Sequence, residues 1–180
     1  MTGRFIAVVG PSGVGKDTVM EALAASMPSL TIARRTITRP SDVGGETFNS
    51  VSPAEFAALK SDGAFALDWA AHGLQYAIPA SIDADLKRGG DVLANLSRSV
   101  LVAAGRRFEW QMVMSLTARP EALRARLMAR GRETAADIEA RLSRPASSMP
   151  SGLNVVEIDN SGALEDTLSL ARTALFSVRA

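Results

Sequence analysis

The sequence predicts an α/β fold in which a parallel β-sheet is flanked by helices. Short apolar runs of strand length alternate with segments of helical periodicity, and this alternation is typical of parallel α/β sheets. With 180 residues, 47% of them hydrophobic, the chain can bury one good core and is short for two domains. We therefore expect a single domain over residues 1–180. The predicted strands are Phe5–Val9, Val92–Leu96, Met112–Leu116 and Val155–Ile158.

Helix signals lie between and after these strands. Ser52 and Pro53 supply an N-cap and a first helical residue, with Glu55 close behind, so a short helix is predicted to begin there. Thr134 and Asp137 form a similar start later in the chain. The clearest helices are Lys16–Ser26, Pro120–Ala129 and a C-terminal one in which Leu164, Leu168, Ala171 and Leu175 share a face.

Charge and composition argue against several classes of partner. The 20 basic and 19 acidic residues nearly balance, so no global field favours nucleic acid or an anionic membrane. No stretch approaches the ~20 apolar residues of a membrane span, and Phe5–Val9 is too short for a signal-peptide core. The absence of cysteine excludes disulfides and thiol chemistry. These features fit a cytoplasmic protein and leave open whether it is a monomer or a homodimer.

A glycine-rich loop that ends in lysine gives the strongest functional signal. Gly10-Pro11-Ser12-Gly13-Val14-Gly15-Lys16 follows the first predicted strand and opens the first predicted helix, which is the context of a phosphate-binding loop, or P-loop. Backbone N–H groups of such a loop surround the β-phosphate, and the lysine reaches the β- and γ-phosphates. We therefore predict a P-loop NTPase fold. The residues predicted to bind ATP are Gly10, Pro11, Ser12, Gly13, Val14, Gly15, Lys16, Asp17 and Thr18.

The residue after the P-loop lysine departs from the usual pattern. That position normally carries Ser or Thr, whose hydroxyl ligates Mg²⁺, whereas this chain has Asp17 followed by Thr18. Asp17 either binds Mg²⁺, directly or through a water, or complements the helix dipole. We predict the metal-related role, with Thr18 directed toward the α-phosphate.

Two stretches interrupt the regular alternation. Between about residues 34 and 79, glycines break up weaker apolar signals, and we interpret this stretch as an inserted subdomain. Arginines are dense over about residues 128 to 145, where we predict a lid over the edge of the sheet. The core is then expected to comprise about residues 1–33 and 80–180.

The P-loop, Thr36–Pro40 and Arg126–Arg132 together resemble the layout of guanylate kinases over nearly the whole chain. This resemblance implies that the insert binds the phosphate acceptor and that Arg39 holds the acceptor phosphate. It also implies that arginines of the lid clamp the transferring phosphoryl group. In this chain those arginines are Arg130, Arg132 and Arg141, with Arg144 as a further candidate.

The positions that read a guanine base are where this resemblance fails. Leu67 lies where an acidic residue is expected, Phe48 replaces a tyrosine, and Ile78 replaces a small hydroxyl residue. Apolar side chains cannot pair with a guanine edge, and a missing hydrogen-bond partner costs orders of magnitude in specificity. Asp68 could supply a displaced carboxylate, which keeps a guanylate kinase or another nucleoside-monophosphate kinase as the alternative.

A closer resemblance is to the ribose 1,5-bisphosphate phosphokinases of phosphonate breakdown, whose P-loop also ends in Gly-Lys-Asp. Ala77 departs from the glycine usually found before the Ile-Pro pair. The resemblance implies ATP-dependent phosphorylation of the 1-phosphate of ribose 1,5-bisphosphate, with Mg²⁺, to give 5-phosphoribosyl 1-diphosphate and ADP. Besides Lys16-Asp17, the shared segments are Thr38–Pro40, Gly45–Glu46, Phe65–Leu67, Ala71–Leu74, Asn95–Arg98 and Arg130–Glu133.

The chemistry of such a reaction suggests a role for each polar candidate. A phosphate acceptor is already anionic near neutral pH, so no general base is required, and the catalytic groups are expected to be cations. Arg98 follows a predicted strand and is a second candidate for the acceptor, while Asn95 and Ser97 are candidates for a ribose or a magnesium-bound water. The catalytic candidates are Lys16, Arg130, Arg132 and Arg141, and the substrate-binding candidates are Arg39, Asn95, Ser97 and Arg98.

A protein that resembles guanylate kinase but binds a peptide without turnover is a third hypothesis. The intact Lys16 and lid arginines argue against it. His72 is the only histidine, and we interpret it as structural or substrate-contacting. Trp69 and Tyr76 are expected to pack the insert, and Asp159–Ser161 either lines the adenine site or caps a helix.

Overall fold

The computed structural model describes residues 3–40, 47–108, 111–131, 134–143 and 148–177. The strands are β1 (Phe5–Val9), β2 (Leu30–Ile32), β3 (Thr36–Ile37), β4 (Asn49–Ser50), β5 (Phe65–Ala71), β6 (Leu74–Pro79), β7 (Asp91–Asn95), β8 (Gln111–Thr117) and β9 (Val155–Asp159). The helices are α1 (Lys16–Ser26), α2 (Pro53–Ser61), α3 (Ile82–Lys87), α4 (Leu101–Arg107), α5 (Pro120–Ala129), α6 (Ala135–Leu142) and α7 (Leu164–Ser177).

The central sheet has five parallel strands in the order β2-β7-β1-β8-β9. The four strands predicted from apolar runs are all present, with shifts of a residue or so at their ends. The edge strand β2 was not predicted, because three residues are too few to show a periodicity. The sheet pairs Phe5 of β1 with Val92 on one side and with Gln111 on the other.

Helices cover both faces of the central sheet. The odd residues of β1, such as Phe5, pack with Leu101 of α4 and Ile82 of α3. The even residues, such as Ile6, pack with residues of α1 and α7 on the other face. Because β1 is buried on both faces, it consists of a continuous apolar run rather than an alternating one. The predicted α/β architecture is therefore confirmed.

A second sheet of four strands, in the order β4-β3-β6-β5, occupies much of the stretch between residues 36 and 79. Leu67 and Ile78 from this sheet are buried in the same apolar cluster as Leu96 of the central unit. The sequence pattern is weak here because only part of each strand is buried. The division into a core, an insert and a lid stays a prediction.

Helix α2 begins where the sequence predicts, through a capping box. Ser52 Oγ accepts from the backbone N–H of Glu55 at 3.2 Å, and Glu55 Oε2 accepts from the N–H of Ser52 at 2.7 Å. These hydrogen bonds stabilise the charged carboxylate and lower the pKa of Glu55. Thr134 and Asp137 cap α6 in the same way, and the same kind of bonding lowers the pKa of Asp137.

A bidentate ion pair links helix α6 to α5. Arg124 Nε donates to Glu139 Oε1 at 2.5 Å, and its Nη2 donates to Oε2 at 3.0 Å. This contact raises the pKa of Arg124 and lowers that of Glu139. Ile138 of α6 is buried. The first helix of the predicted lid therefore has a defined position on α5.

Candidate active site

The candidate site lies at the carboxyl edge of the central sheet. The adjacent parallel strands β2, β7 and β1 all end there. The P-loop follows β1, Asn95 is the last residue of β7, and Ala33 follows β2. Ligands of open α/β sheets bind beyond the carboxyl ends of the strands, so this edge is where a substrate is expected.

The P-loop has the tight backbone that its glycines permit. Gly13 and Gly15 have φ angles of 85° and 93°, in the left-handed region that favours glycine. A Cβ on Gly15 would also lie 2.9 Å from Asn160 Nδ2. Lys16 Nζ donates to the carbonyl oxygens of Gly10 at 2.9 Å and Pro11 at 3.3 Å. The ammonium group is therefore held inside the loop, where it can exchange carbonyl oxygens for phosphate oxygens.

Asn160 supports the P-loop from behind. Its Nδ2 donates to the carbonyl oxygen of Val14 at 2.7 Å, and its Oδ1 accepts from Thr167 Oγ1 at 2.8 Å. Its backbone N–H donates to the carbonyl oxygen of Thr117 at the end of β8. The sequence suggested an adenine site or a helix cap for Asp159–Ser161, and it missed this contact because nothing local indicates a partner 146 residues away.

Asp17 and Asn95 meet at the carboxyl edge. Asn95 Nδ2 donates to Asp17 Oδ1 at 3.1 Å, which orients a half-buried carboxylate in the first turn of α1. The backbone places Gly15 at the N-cap of that helix, and Thr18 is exposed. The hydrogen bond ties Asp17 to β7, and the choice between a metal-related role and complementing the helix dipole stays a prediction.

The described residues contain no group of three or more His, Cys, Asp or Glu side chains that could hold a metal. Mg²⁺ bound with a nucleotide needs fewer protein ligands, because one or two carboxylates together with waters and phosphate oxygens complete its octahedral shell. The carboxylate of Asp17, beside the P-loop, fits that requirement.

The substrate-binding candidates lie around the junction of the two sheets. Arg39 follows β3, and its guanidinium carbon lies 4.3 Å from the centroid of the Phe48 ring. Ser97 follows β7, and its Oγ accepts from Trp69 Nε1 of β5 at 3.1 Å. Arg98 begins a short 3₁₀ turn directly after Ser97. The hydroxyl of Ser97 therefore contacts the second sheet, a role that the sequence did not indicate.

A cleft opens beside Asp17 and Asn95. It is also lined by Arg34 and Arg35, which connect β2 to β3, and by Glu21 of α1. Neither arginine was among the predicted site residues. They were missed because β2 was missed, so nothing placed Arg34 and Arg35 at the end of a strand. The signal available in the sequence was a pair of adjacent arginines directly after the apolar residues Ile32 and Ala33.

The lid candidates divide between described and undescribed residues. Arg130 is exposed at the C-cap of α5, and Arg141 is half-buried in the last turn of α6. Arg132 and Arg144 lie outside the described residues, as does Gly45–Glu46. Arg126, another arginine of α5, donates from Nη1 to the carbonyl oxygen of Val14 at 3.3 Å. This bond brings α5 against the P-loop, and so places the start of the predicted lid beside it.

The environment of Leu67 bears on the guanine alternative. Leu67 and Ile78 are both buried in the apolar core. Asp68, the candidate displaced carboxylate, accepts from Lys60 Nζ at 2.5 Å through its Oδ2. The side chains of Leu67 and Ile78 offer a guanine edge no hydrogen-bond partner, while Asp68 is engaged in an exposed ion pair with Lys60.

None of the described helices combines the length and apolar character needed to cross a bilayer.

His72 is exposed at the turn between β5 and β6, with a φ angle of 52°. Whether His72 is structural or contacts the substrate stays a prediction.

Comparison with known proteins finds relatives of closely similar sequence, and solved structures that share the fold at low sequence identity. No protein-family model matches the chain. The chain is 50% identical over 179 residues to the ribose 1,5-bisphosphate phosphokinase PhnN of Ruegeria sp. (strain TM1040), which covers 99% of this chain and 94% of that protein. It is 46% identical over 165 residues to the protein of the same name from Agrobacterium fabrum, with 90% of each covered.

Among solved structures, the chain is similar to a guanylate kinase from Anaplasma phagocytophilum, with a TM-score of 0.69 and 18% identity over 98% of this chain and 86% of the other. A gluconokinase from Sinorhizobium meliloti 1021 gives a TM-score of 0.57 and 20% identity over 98% and 93% of the two chains. At such low identity these structures establish the fold alone, and that fold is the P-loop kinase fold.

Proposed function

The chain belongs to the family of ribose 1,5-bisphosphate phosphokinases, and we propose that it transfers the γ-phosphoryl group of ATP to the 1-phosphate of ribose 1,5-bisphosphate. The products are 5-phosphoribosyl 1-diphosphate and ADP. The observation that carries this proposal is the P-loop with Lys16 and Asp17 at the edge of a cleft lined by arginines. The P-loop supports binding of the donor, and Arg34 and Arg35, which line the cleft together with Asp17 and Glu21, support binding of an anionic acceptor nearby.

The reaction requires positioning and charge neutralisation rather than proton transfer. An oxygen of the acceptor phosphate attacks the γ-phosphorus while the bond to the β-phosphate oxygen breaks, and ADP leaves as an anion. The acceptor oxygen is already ionised near neutral pH, so no side chain has to remove a proton. The protein must supply cationic groups around the transferred phosphoryl, because the negative charge on that group in the transition state is the main barrier.

We assign these cationic groups from the P-loop and from the resemblance to guanylate kinases. Lys16 and the loop amides bind the β- and γ-phosphates, and Arg39 binds the acceptor. Arg130 and Arg132 stabilise the transferring group, with Arg141 in support. Arginine suits these positions because its planar fork stays charged and binds phosphate through two donors.

Mg²⁺ is the remaining cation that the proposal requires. Asp17 would hold it, directly or through a water, together with phosphate oxygens of ATP, and the bound ion would neutralise charge on the β- and γ-phosphates. Asn95 orients the Asp17 carboxylate by donating to Oδ1 at 3.1 Å. Asn95 is thus a positioning residue, while Ser97 and Arg98 are candidates for contacts with the sugar phosphate.

Asp17→Asn separates the metal role from a helix-capping role. We expect the Mg²⁺ concentration for half-maximal rate to rise by roughly 10-fold or more, because an amide is a poor ligand for a hard cation. The measurement is the rate of ATP turnover as a function of Mg²⁺ concentration. The same titration is repeated with binding of the non-hydrolysable analogue AMP-PNP as the readout. Glu21→Gln is the matched control, since Glu21 lines the same cleft further along α1. An unchanged Mg²⁺ dependence in Asp17→Asn would favour capping, which asparagine tolerates.

The alternative acceptor is a nucleoside monophosphate. It requires a polar group to read the base, whereas Leu67 is buried and Asp68 is bound to Lys60. A non-catalytic scaffold requires no turnover at all. Release of ADP from ATP and Mg²⁺ with ribose 1,5-bisphosphate, compared with GMP, AMP and dTMP, distinguishes the three. Turnover with the sugar bisphosphate supports the proposed function, turnover with GMP supports a guanylate kinase, and no turnover supports the scaffold.

The organisation that fits this function is a core over about residues 1–33 and 80–180, an acceptor-binding insert over about residues 34–79 and a lid over about residues 128–145. The second sheet and the cleft beside Arg35 support the location of the insert. We place the enzyme in the cytoplasm, where its donor ATP is made, and leave open whether it works as a monomer or a homodimer.

A further inference from the structure

The cleft beside Asp17 presents an arginine that the roles above do not use. Arg35 connects the central sheet to the second sheet, and it lines the cleft together with Asp17 and Asn95. The carboxyl edge of β2 brings it there, because β2 lies next to β7 in the sheet. Arg35 therefore lies at the carboxyl edge of the central sheet, directly before the Thr36–Pro40 segment.

The side chain and backbone of Arg35 are both fixed. Its guanidinium carbon lies 5.1 Å from the centroid of the Tyr76 ring, in a cation–π contact. Tyr76 stacks on Trp69, with ring centroids 5.5 Å apart, and Trp69 Nε1 donates to Ser97 Oγ. The carbonyl oxygen of Arg35 accepts from the N–H of Asn49 at 2.8 Å. A cation held in this way is preorganised for a ligand.

The cleft extends away from the P-loop. Its lining begins at Asp17 and includes Met20 and Glu21, about one helical turn further along α1, but none of residues 10–16. Arg35 therefore lines a part of the cleft whose other lining residues include none of residues 10–16. Arg34, its exposed neighbour, lines the same cleft, so two arginines there stand against the carboxylates of Asp17 and Glu21.

The acceptor of the proposed reaction has two phosphate monoesters. One reacts, and the other is a dianion at the far end of the ribose, which the site must recognise to distinguish the bisphosphate from simpler sugar phosphates. We propose that Arg35 binds this second, non-reacting 5-phosphate and sets the preference for a bisphosphate acceptor. This inference rests on the proposed function and deepens it. The stack of Arg35, Tyr76 and Trp69, linked to Ser97, holds the arginine in place for that contact.

The test compares two ligands that each carry one of the phosphates. Ribose 5-phosphate and ribose 1-phosphate are measured as competitive inhibitors against ribose 1,5-bisphosphate in the wild type and in Arg35→Ala. We expect the inhibition constant of ribose 5-phosphate to rise roughly 10- to 100-fold, as loss of a charged hydrogen bond predicts. The inhibition constant of ribose 1-phosphate and the KM for ATP are expected to stay near their wild-type values.

Two variants keep the test decisive. Arg35→Lys retains the positive charge but loses the planar guanidinium that binds phosphate through two donors. It is therefore expected to raise the inhibition constant of ribose 5-phosphate by a smaller factor than Arg35→Ala. Arg106→Ala removes an exposed arginine of α4 that does not line the cleft, and it is expected to change neither constant. Thermal unfolding of each variant reports whether the fold is retained, and a misfolded Arg35→Ala leaves the comparison to Arg35→Lys.

Each outcome bears on a different part of the proposal. Equal rises in both constants would place Arg35 at the reacting phosphate or in the fold, and would contradict the 5-phosphate role while leaving the proposed function intact. No change in either constant would contradict it equally. Absence of wild-type turnover with the bisphosphate is seen before any variant is compared, and it overturns the proposed function and the role of Arg35 together.

Discussion

Lys16→Ala is expected to lower kcat by about 100- to 1000-fold, as loss of one preorganised charge at a developing anion does in other enzymes. Lys16 is half-buried, and its Nζ donates to the loop carbonyl oxygens of Gly10 and Pro11. Its main contribution is therefore electrostatic, and the variant is expected to fold. The measurement is kcat at saturating ATP and ribose 1,5-bisphosphate, with thermal unfolding recorded in parallel.

Lys60→Ala is the control for this prediction. Lys60 is an exposed lysine of α2 that pairs with Asp68, so its removal tests the loss of a lysine away from the P-loop. An exposed pair of this kind contributes little to stability, and we expect near-normal turnover. Near-normal turnover in Lys16→Ala as well would show that the loop does not bind the transferring phosphates as assigned.

Arg130→Ala is expected to reduce kcat by about 1000-fold, because arginines that neutralise a transferring phosphoryl group have effects of that order. Arg130 is exposed at the C-cap of α5, so truncating it removes little packing. The KM for ATP is expected to change less than kcat, since the contact strengthens in the transition state. Single-turnover measurements with ATP and the bisphosphate isolate the chemical step from product release.

Arg88→Ala gives a matched comparison for Arg130. Arg88 occupies the C-cap of α3, as Arg130 does that of α5, and it is exposed and paired with Asp85. Its truncation is expected to leave kcat unchanged. Arg130→Lys is expected to recover part of the activity through its charge. If Arg130→Ala raised only the KM for ATP, the arginine would bind the donor without acting on the transferring group.

The sequence predicted the parts of the fold whose signals are long and regular. The continuous apolar run of β1 and the amphipathic face of α7 arise from burial over many residues, and both were placed correctly. The capping residues Ser52 and Thr134 also predicted where α2 and α6 begin, because caps act through local chemistry. The three-residue strand β2 and the six- and seven-residue helices α3 and α4 give too few repeats to be recognised.

The candidate site was predictable only where a local motif carries the chemistry. The P-loop follows from its spacing, because the backbone itself binds phosphate. The bond from Asn160 to Val14 and the contact of Arg35 with Tyr76 join residues that are distant in sequence. Such contacts depend on which strands are neighbours in the sheets, and no single-sequence pattern records that order. The roles of Arg39, Arg130 and Arg141 stay predictions until they are tested.

The most direct test of the central claim is the identity of the product. The purified protein is incubated with ATP and Mg²⁺, and with ribose 1,5-bisphosphate or GMP, while ADP release is followed and the product is examined by phosphorus NMR. We predict ADP release with the sugar bisphosphate alone, and a product in which the 1-phosphate has become a diphosphate while the 5-phosphate remains a monoester. A product with three monoesters, or robust conversion of GMP to GDP, would contradict the assignment of the acceptor.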